Sequence, residues 1–132
     1  MSKKTIWITG GSTGIGKALA IKFASKGWNV AISARRAELL NELSNSYENI
    51  SSFPLDVTDK EKCKEVFNEI KNKYENIDIC FFSTGTWDPK KEKDIDVEQM
   101  EDVFKVNFFG TVNSIKAVEQ YFRDKKNGII TI

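Results

Sequence analysis

The sequence predicts an α/β fold, in which helices cover both faces of a doubly wound parallel sheet and make three layers. Two observations carry this prediction. Short apolar runs alternate along the chain with longer segments whose apolar residues recur every three or four positions. The stretches between consecutive runs are also long enough for helical crossovers, which parallel strands require. With 132 residues, of which 40% are hydrophobic, we expect a single domain over residues 1–132.

Five short apolar runs predict the strands. The fourth run is apolar enough to be buried on both faces of the sheet. Right-handed crossovers, with a reversal of direction after the third strand, give the strand order 3-2-1-4-5. The predicted strands are Thr5–Thr9, Val30–Ala34, Ser51–Leu55, Ile77–Phe82 and Gly128–Ile132.

Helical spacing of apolar residues predicts four helices between these strands. A glycine ends the first helix, and Thr58 or Asp59 caps the third. The segment 84–96 is predicted as a polar loop, with a solvated lysine-rich stretch at 90–93. The apolar stripes, helix by helix, are Ile15, Ala18, Leu19 and Phe23; Leu39, Leu40, Leu43 and Tyr47; Cys63, Val66, Phe67, Ile70 and Tyr74; and Met100, Val103, Phe104, Phe108, Thr111, Ile115, Val118 and Phe122.

The turn after the first strand carries the main functional signal. The strand runs into Thr-Gly-Gly-Ser-Thr-Gly-Ile-Gly at residues 9–16, and this turn opens a helix. Such a turn presents bare backbone N–H groups and a helix N-terminus to a phosphate, so we expect a dinucleotide-binding site. Gly10 permits the sharp exit from the strand, Gly14 lets the backbone approach the pyrophosphate, and Gly16 lets the helix pack on the sheet. The candidate cofactor-binding residues of this turn are Gly10, Ser12, Thr13, Gly14, Ile15 and Gly16.

This turn resembles TGxxxGxG, the cofactor signature of the short-chain dehydrogenase/reductase family, and the resemblance runs the whole length of the chain. It implies a Rossmann-type fold and an NAD(P)-dependent oxidoreductase that transfers hydride between the nicotinamide and a carbonyl or alcohol substrate. It also implies a longer complete enzyme, so we expect the sheet to be incomplete on its C-terminal side and the family's catalytic half to be absent. Strand five would then be an open apolar edge that invites pairing with another chain. We expect the complete enzyme to be a homo-oligomer.

The end of the second strand bears on the choice of cofactor. Ala34 stands where an acidic residue would hold the ribose 2′-hydroxyl of NAD, and Arg35 and Arg36 follow it. An acid would repel a 2′-phosphate, whereas Arg35 pairs with one bidentately, so NADP(H) is favoured over NAD(H). The alternative is a pair of solvated arginines at a helix start. One feature opposes NADP, because many NADP-using members of the family carry a basic residue where Thr13 stands.

Two further segments are assigned by the resemblance. Asp56 would accept a hydrogen bond from the adenine amino group and Val57 would lie against the ring, whereas the alternative for Asp56 is a cap of the following helix. Phe-Ser-Thr-Gly at residues 82–85 stands where the family usually shows Asn-Asn-Ala-Gly. The glycine still lets the backbone pass close to the adenine ribose, and the serine is the candidate to replace asparagines that tie this strand to its neighbour. The candidate cofactor-binding residues of this segment are Ser83, Thr84 and Gly85.

Asn107, in a Val-Asn-x-x-Gly string, is the one member of the family's catalytic tetrad that the resemblance places in this chain. Its position falls on the apolar stripe of the long helix, so we expect a buried side chain that finds hydrogen-bond partners. In the family, the main chain of this asparagine holds a water of the proton relay. The alternative is a core asparagine satisfied by neighbouring backbone.

The family's serine and Tyr-xxx-Lys pair belong after strand five, but the one such string here, Tyr121 to Lys125, precedes that strand. A crossover helix runs antiparallel to the strands, so its C-terminal end lies at the edge opposite the cofactor. Tyr121 would lie about 21 Å from Asn107 along the helix axis. We therefore predict that Tyr121 is not catalytic and that this chain alone is inactive. Two other hypotheses stay open: a non-catalytic dinucleotide-binding module and an inactive truncated gene product.

Composition argues against several other classes of function. Charged residues make up 30% of the chain and the net charge is +1, so nothing favours a nucleic-acid partner. Cys63 and Cys80 are far apart and histidine is absent, so we expect buried free thiols and no metal site. No signal peptide opens the chain, and no apolar run approaches the ~20 residues of a membrane span. These features predict a cytoplasmic protein without a membrane partner.

Overall fold

The computed structural model describes residues 3–89 and 94–132, so the lysine-rich stretch at 90–93 lies outside the described residues. The strands are β1 (Thr5–Thr9), β2 (Asn29–Ser33), β3 (Ile50–Ser52), β4 (Ile79–Phe82) and β5 (Ile129–Thr131). The helices are α1 (Gly14–Ser25), α2 (Ala37–Ser46), α3 (Lys60–Tyr74), α4 (Val97–Phe104) and α5 (Gly110–Lys125). A π-helical turn (Lys105–Phe109) joins α4 to α5.

All the strands pair in parallel, in the order β3-β2-β1-β4-β5, and helices pack on both faces. The predicted fold class and strand order are therefore confirmed. β1 lies at the centre of the sheet and is wholly buried. Its successive side chains enter opposite cores, as the period of a strand requires. Ile6 and Ile8 pack with Leu40 of α2, whereas Trp7 packs with Phe67 of α3 and Val118 of α5.

The ends of two strands differ from the prediction. β3 ends at Ser52 rather than at residue 55. The chain nevertheless stays beside β2, since Phe53 N donates to Ile32 O at 2.9 Å and Leu55 N to Ala34 O at 3.0 Å. β4 begins at residue 79 rather than 77. The connection after β3 is therefore held against the end of β2, where the sequence predicts cofactor contacts.

The prediction that β4 is buried on both faces is wrong for one face. Cys80 and Phe82 are buried, but Ile79 and Phe81 are only half-buried. They lie on the face of the sheet where α1 contacts β1 and β2, and where α2 contacts β3. On the same face, Ile129 of β5 is 54% exposed. The predicted burial of both free thiols, Cys63 and Cys80, is confirmed.

The long helix predicted before strand five is divided by the π-helical turn. A π turn inserts one residue into the helical repeat, so the apolar stripe does not continue in phase across it. Met100, Phe104 and Phe108 are exposed, although the sequence placed them on the same side as Val118, and no residue of α4 is buried. The helix faces the core instead through residues such as Val106, which packs against the buried cluster between the sheet and α3.

Candidate nucleotide-binding site

A cleft of about 440 Å³ lies at the carboxyl ends of β1, β2 and β4. Ligands of open α/β sheets bind at this edge, next to the point where the strand order reverses. Every cofactor-binding candidate from the sequence lines the cleft, and four residues that the sequence analysis did not assign to the site join them: Ala34, Leu55, Thr86 and Val106.

The glycine turn has the geometry that its sequence predicts. Gly10 and Gly14 have φ values of 68° and 55°, in the left-handed region that favours glycine. A Cβ atom on Gly10 would lie 2.7 Å from Ser83 O, and one on Gly16 would overlap the carbonyl oxygen of Gly10. A Cβ atom on Gly14 would meet nothing within 4 Å. The turn is therefore tight against β4 on one side and open on the cleft side.

The start of α1 is available to an anion. Thr13 is the N-cap residue, and its side chain makes no capping hydrogen bond. The first turn of the helix contains no acidic residue. Its backbone N–H groups and the positive end of the helix dipole therefore lack a side-chain anion of their own. Ile15, which follows the open glycine, is 76% exposed beside these groups.

Two cations stand across the cleft from this turn. Arg35 and Arg36 are exposed at the end of β2, and both line the cleft. Arg36 is the N-cap residue of α2, a place where the helix dipole disfavours a cation. This unfavourable placement adds to the case for an anionic ligand over a pair of merely solvated arginines.

Asp56 presents an ionised carboxylate at the third side of the cleft. Its Oδ1 accepts hydrogen bonds from Thr58 N at 3.0 Å and from Thr58 Oγ1 at 2.8 Å. The backbone hydrogen bond from Thr58 is the largest cause that lowers the pKa of Asp56 from 3.8, and the positive charges of Arg35 and Lys105 also lower it. The alternative in which Asp56 caps α3 is wrong, because the N-cap is Asp59, whose carboxylate accepts from the backbone N–H of the helix.

The segment after β4 is tied to β1 by the serine that replaces asparagine. Ser83 Oγ donates to Thr9 O at 2.8 Å, and Ser83 N donates to the same oxygen at 3.3 Å. The neighbouring Thr84 Oγ1 is buried and has no hydrogen-bond partner among the described residues. Since Thr84 lines the cleft, this hydroxyl is free to pair with a polar group of a ligand.

Asn107 lies beside the cleft, but it is exposed, so the expectation of a buried side chain is wrong. Its Oδ1 accepts from Thr86 N at 2.7 Å, and its Nδ2 donates to Thr86 O at 3.0 Å. The side chain thus fixes the backbone that follows the Ser-Thr-Gly segment. The main-chain oxygen of Asn107 accepts from Thr111 Oγ1 at 2.9 Å. No pattern in the sequence predicts this contact of Thr86, because the two residues are 21 positions apart.

The Tyr-xxx-Lys string lies at the other end of β4. Tyr121 OH accepts a hydrogen bond from Ile77 N at 2.9 Å, and Lys125 Nζ donates to Ile77 O at 2.7 Å. Lys125 also lies 3.9 Å from the carboxylate of Asp78. Both side chains therefore bind the backbone that enters β4, at the edge of the sheet opposite the cleft.

These features fit a dinucleotide better than a metal ion. An open glycine turn, an uncapped helix start, two arginines and an unpaired hydroxyl suit phosphates and ribose hydroxyls. Within residues 3–89 and 94–132, no cluster of three or more His, Cys, Asp or Glu side chains could hold a metal. In the same ranges, every helix is too short or too polar to cross a membrane.

Comparisons with known proteins agree with this geometry. A family model described as short chain dehydrogenase matches residues 4–132. The chain is 33% identical to an uncharacterized oxidoreductase of Listeria monocytogenes, over 98% of this chain and 54% of the relative. It is 31% identical to 2,3-dihydro-2,3-dihydroxybenzoate dehydrogenase of Bacillus subtilis, over 98% of this chain and 51% of that enzyme.

Two solved structures extend the comparison. A short-chain dehydrogenase from Streptomyces avermitilis is 27% identical with a TM-score of 0.89, over 98% of this chain and 48% of that one. ElxO with NADP bound is 31% identical with a TM-score of 0.86, over 97% of this chain and 54% of ElxO. The chain therefore spans about half the length of the relatives it matches.

Proposed function

The chain belongs to the short-chain dehydrogenase family, and on that basis we propose that its cleft binds NADP(H) in preference to NAD(H). We further propose that it forms the cofactor-holding part of an oxidoreductase. That enzyme would transfer hydride between the nicotinamide and a carbonyl or alcohol carbon of a small-molecule substrate. Carbonyl reduction and alcohol oxidation are the two directions of this reaction.

One observation carries the proposal: an uncapped helix start and a pair of arginines line the same cleft. The first-turn N–H groups of α1 would hold the pyrophosphate, because they lack other anionic partners. Arg35 and Arg36 would hold the 2′-phosphate that distinguishes NADP from NAD, since a guanidinium pairs bidentately with phosphate. ElxO, which is similar over 97% of this chain, has been solved with NADP bound.

The remaining lining residues would orient the two ends of the cofactor. Asp56 would accept from the adenine amino group, and Val57 would lie against the adenine ring. Thr84 Oγ1, which has no hydrogen-bond partner in the described part of the chain, would bind a ribose hydroxyl. Asn107 would hold Thr86 in place and contribute its main-chain oxygen to a proton relay. The cofactor supplies the hydride when it is bound.

We do not expect the 132 residues to turn over a substrate by themselves. The hydroxyl of Tyr121 is occupied with Ile77 N at the opposite edge of the sheet, so it cannot act as the acid or base of the reaction. A non-catalytic nucleotide-binding role of this chain therefore remains the second candidate. The cytoplasmic location and the homo-oligomer that the sequence suggests also remain predictions.

The first prediction tests nucleotide binding. Gly14→Val should abolish NADPH binding, because the new side chain would enter the open space that we propose for the pyrophosphate. Isothermal titration of NADPH into wild type and variant measures the dissociation constant. Gly27→Val is the matched control, since Gly27 also has a positive φ, of 82°, and open space around its Cβ position but does not line the cleft.

Both variants place valine in a left-handed conformation, so both should lose about 1–2 kcal/mol of stability for the same steric reason. Only Gly14→Val should lose the nucleotide. If Gly14→Val binds NADPH as wild type does, the cleft is not the nucleotide site. If the two variants lose binding equally, the loss reflects backbone strain and not the cleft.

A further inference from the structure

The segment that carries Asp56 is held between the sheet and α5. Leu55 and Val57 are buried at 4% exposure each, whereas Asp56 between them is exposed. Among the described residues, the hydrogen bonds to the carboxylate of Asp56 come from its own turn, through Thr58. The direction in which it points therefore depends on where the backbone of the segment is fixed.

A side-chain amide from α5 is one of the contacts that fix it, beside the backbone bonds from Leu55 N to Ala34 O and from Asp59 N to Asp56 O. Asn113 Nδ2 donates to Val57 O at 2.9 Å, across 56 positions of sequence, and the asparagine is buried. Cys63 Sγ donates to the same oxygen at 3.6 Å, a weaker bond. Because a buried carbonyl without a partner is costly, the Asn113 amide determines where this carbonyl lies.

α5 reaches this segment because its first residue is a glycine. A Cβ atom on Gly110 would lie 2.5 Å from Val57 Cγ2, so any side chain there would push the valine away. The close approach brings the next turn of the helix, with Asn113, within hydrogen-bond distance of the Val57 carbonyl. One stretch of helix therefore holds both ends of the cleft: Asn107 binds Thr86 at one end, and Asn113 binds Val57 at the other.

We propose that Asn113 is a positioning residue for adenine recognition, which holds the Val57 carbonyl so that the Asp56 carboxylate meets the adenine 6-amino group. This inference rests on the proposed function, because it requires the cleft to bind a dinucleotide. Asn113 does not line the cleft, so it acts on the cofactor through the 56–57 backbone. A merely structural asparagine would stabilise the fold without affecting which base is preferred.

The test compares NADPH with its hypoxanthine analogue, in which the 6-amino group is replaced by an oxygen. Wild type should bind NADPH about tenfold more tightly, as expected for one hydrogen bond to a charged acceptor. Asn113→Leu fills a similar volume but removes the donor, and should bring the ratio of the two dissociation constants close to one. Asp56→Ala, which lacks the carboxylate, provides the reference for a complete loss of discrimination between the two nucleotides.

Asn49→Leu is the matched control. Its side-chain amide donates to the carbonyls of Ala24 and Trp28 at 2.8 and 2.7 Å, far from the cleft lining. Asn49→Leu should lower the free energy of unfolding but leave the ratio of the two dissociation constants at its wild-type value. If Asn113→Leu does not fold by circular dichroism, Asn113→Ser, which is too short to reach the carbonyl, replaces it in the same comparison.

The outcomes separate this inference from the proposed function. A folded Asn113 variant that keeps the wild-type ratio overturns the positioning role. Wild type that binds the two nucleotides equally also overturns it, but leaves nucleotide binding intact. Wild type that binds neither nucleotide overturns the proposed function itself.

Discussion

At the scale of the residue, Arg35 at the end of β2 leads to a prediction about cofactor choice. Arg35→Asp removes a cation next to Ala34, the position at which NAD-binding folds carry an acid, and the new carboxylate would repel a 2′-phosphate. We expect this variant to bind NADPH more weakly than wild type does, and to bind NADH at least as well as wild type does, so that the cofactor preference reverses. Fluorescence titration with both nucleotides measures the two dissociation constants.

Arg123→Asp controls for the change in total charge. It makes the same change of two units in the last turn of α5, away from the cleft. The preference should not change in that variant, since exposed charges at a distance are screened by salt. An unchanged preference in Arg35→Asp would mean that this arginine is only a surface charge.

The Asp56 carboxylate leads to a prediction about how the free energy of unfolding depends on pH. Its pKa lies below 3.8 in the folded state, mainly because of the hydrogen bond from the Thr58 backbone. A carboxyl with a lowered folded-state pKa stabilises the fold above its unfolded pKa, and this contribution is lost as pH falls through the folded value. Asp56→Asn keeps an acceptor for the turn but does not titrate in this range.

We therefore expect the free energy of unfolding of wild type to fall more steeply than that of Asp56→Asn between about pH 6 and about pH 3. Urea unfolding at a series of pH values measures both curves. The difference should be small, because the carboxylate is exposed and solvent screens it. Two parallel curves would show that Thr58 and Arg35 do not favour the ionised form.

At the scale of the element, side chains at the C-terminal end of α5 form hydrogen bonds with the backbone just before β4. Tyr121→Phe removes the hydroxyl that accepts from Ile77 N, so we expect a loss of about 1 kcal/mol in the free energy of unfolding. NADPH binding should not change, because the cleft lies at the other end of the strand. Urea unfolding and nucleotide titration measure the two quantities. Loss of binding with unchanged stability would instead place Tyr121 in the site.

The elements also show what the sequence could predict. β1, the glycine turn and the strand order follow from local patterns: an apolar run, glycines at fixed spacing and alternation of strands with helices. The position of Asn107 does not, because its exposure depends on a π-helical turn that inserts one residue into a regular repeat. Met100, Phe104 and Phe108 fit the same helical spacing as the core residues, so spacing alone could not show that they are exposed.

The long-range contacts could not be predicted from the sequence, for a different reason. The bond between Asn113 and Val57 joins residues 56 positions apart, and neither residue carries a pattern that indicates the other. The role of Gly110 likewise becomes clear only from the valine that lies against it. Residues that line the cleft were predictable because they follow strand ends, whereas the residues that support them lie on a helix behind it.

At the scale of the whole molecule, an exposed surface leads to a prediction about the expected homo-oligomer. Phe104 and Phe108 are 60% and 55% exposed, and they form one stripe with Val97 and Met100, which are also exposed. Contiguous apolar surface of this kind indicates a protein interface. A two-fold axis would pair the stripes of two copies in antiparallel directions.

We therefore expect this chain to sediment as a dimer in sedimentation velocity. The double variant Phe104→Glu/Phe108→Glu should be monomeric, because a dimer of this variant would bury two charges of each copy without partners. Ile129→Lys tests the other surface, the exposed edge strand that the sequence also suggests as a place for pairing. If the phenylalanine variant stays dimeric and the Ile129 variant becomes monomeric, the copies associate through β5. If only the phenylalanine variant becomes monomeric, the helical stripe is the interface. That stripe lies on the same helical segment whose asparagines hold the two ends of the cleft.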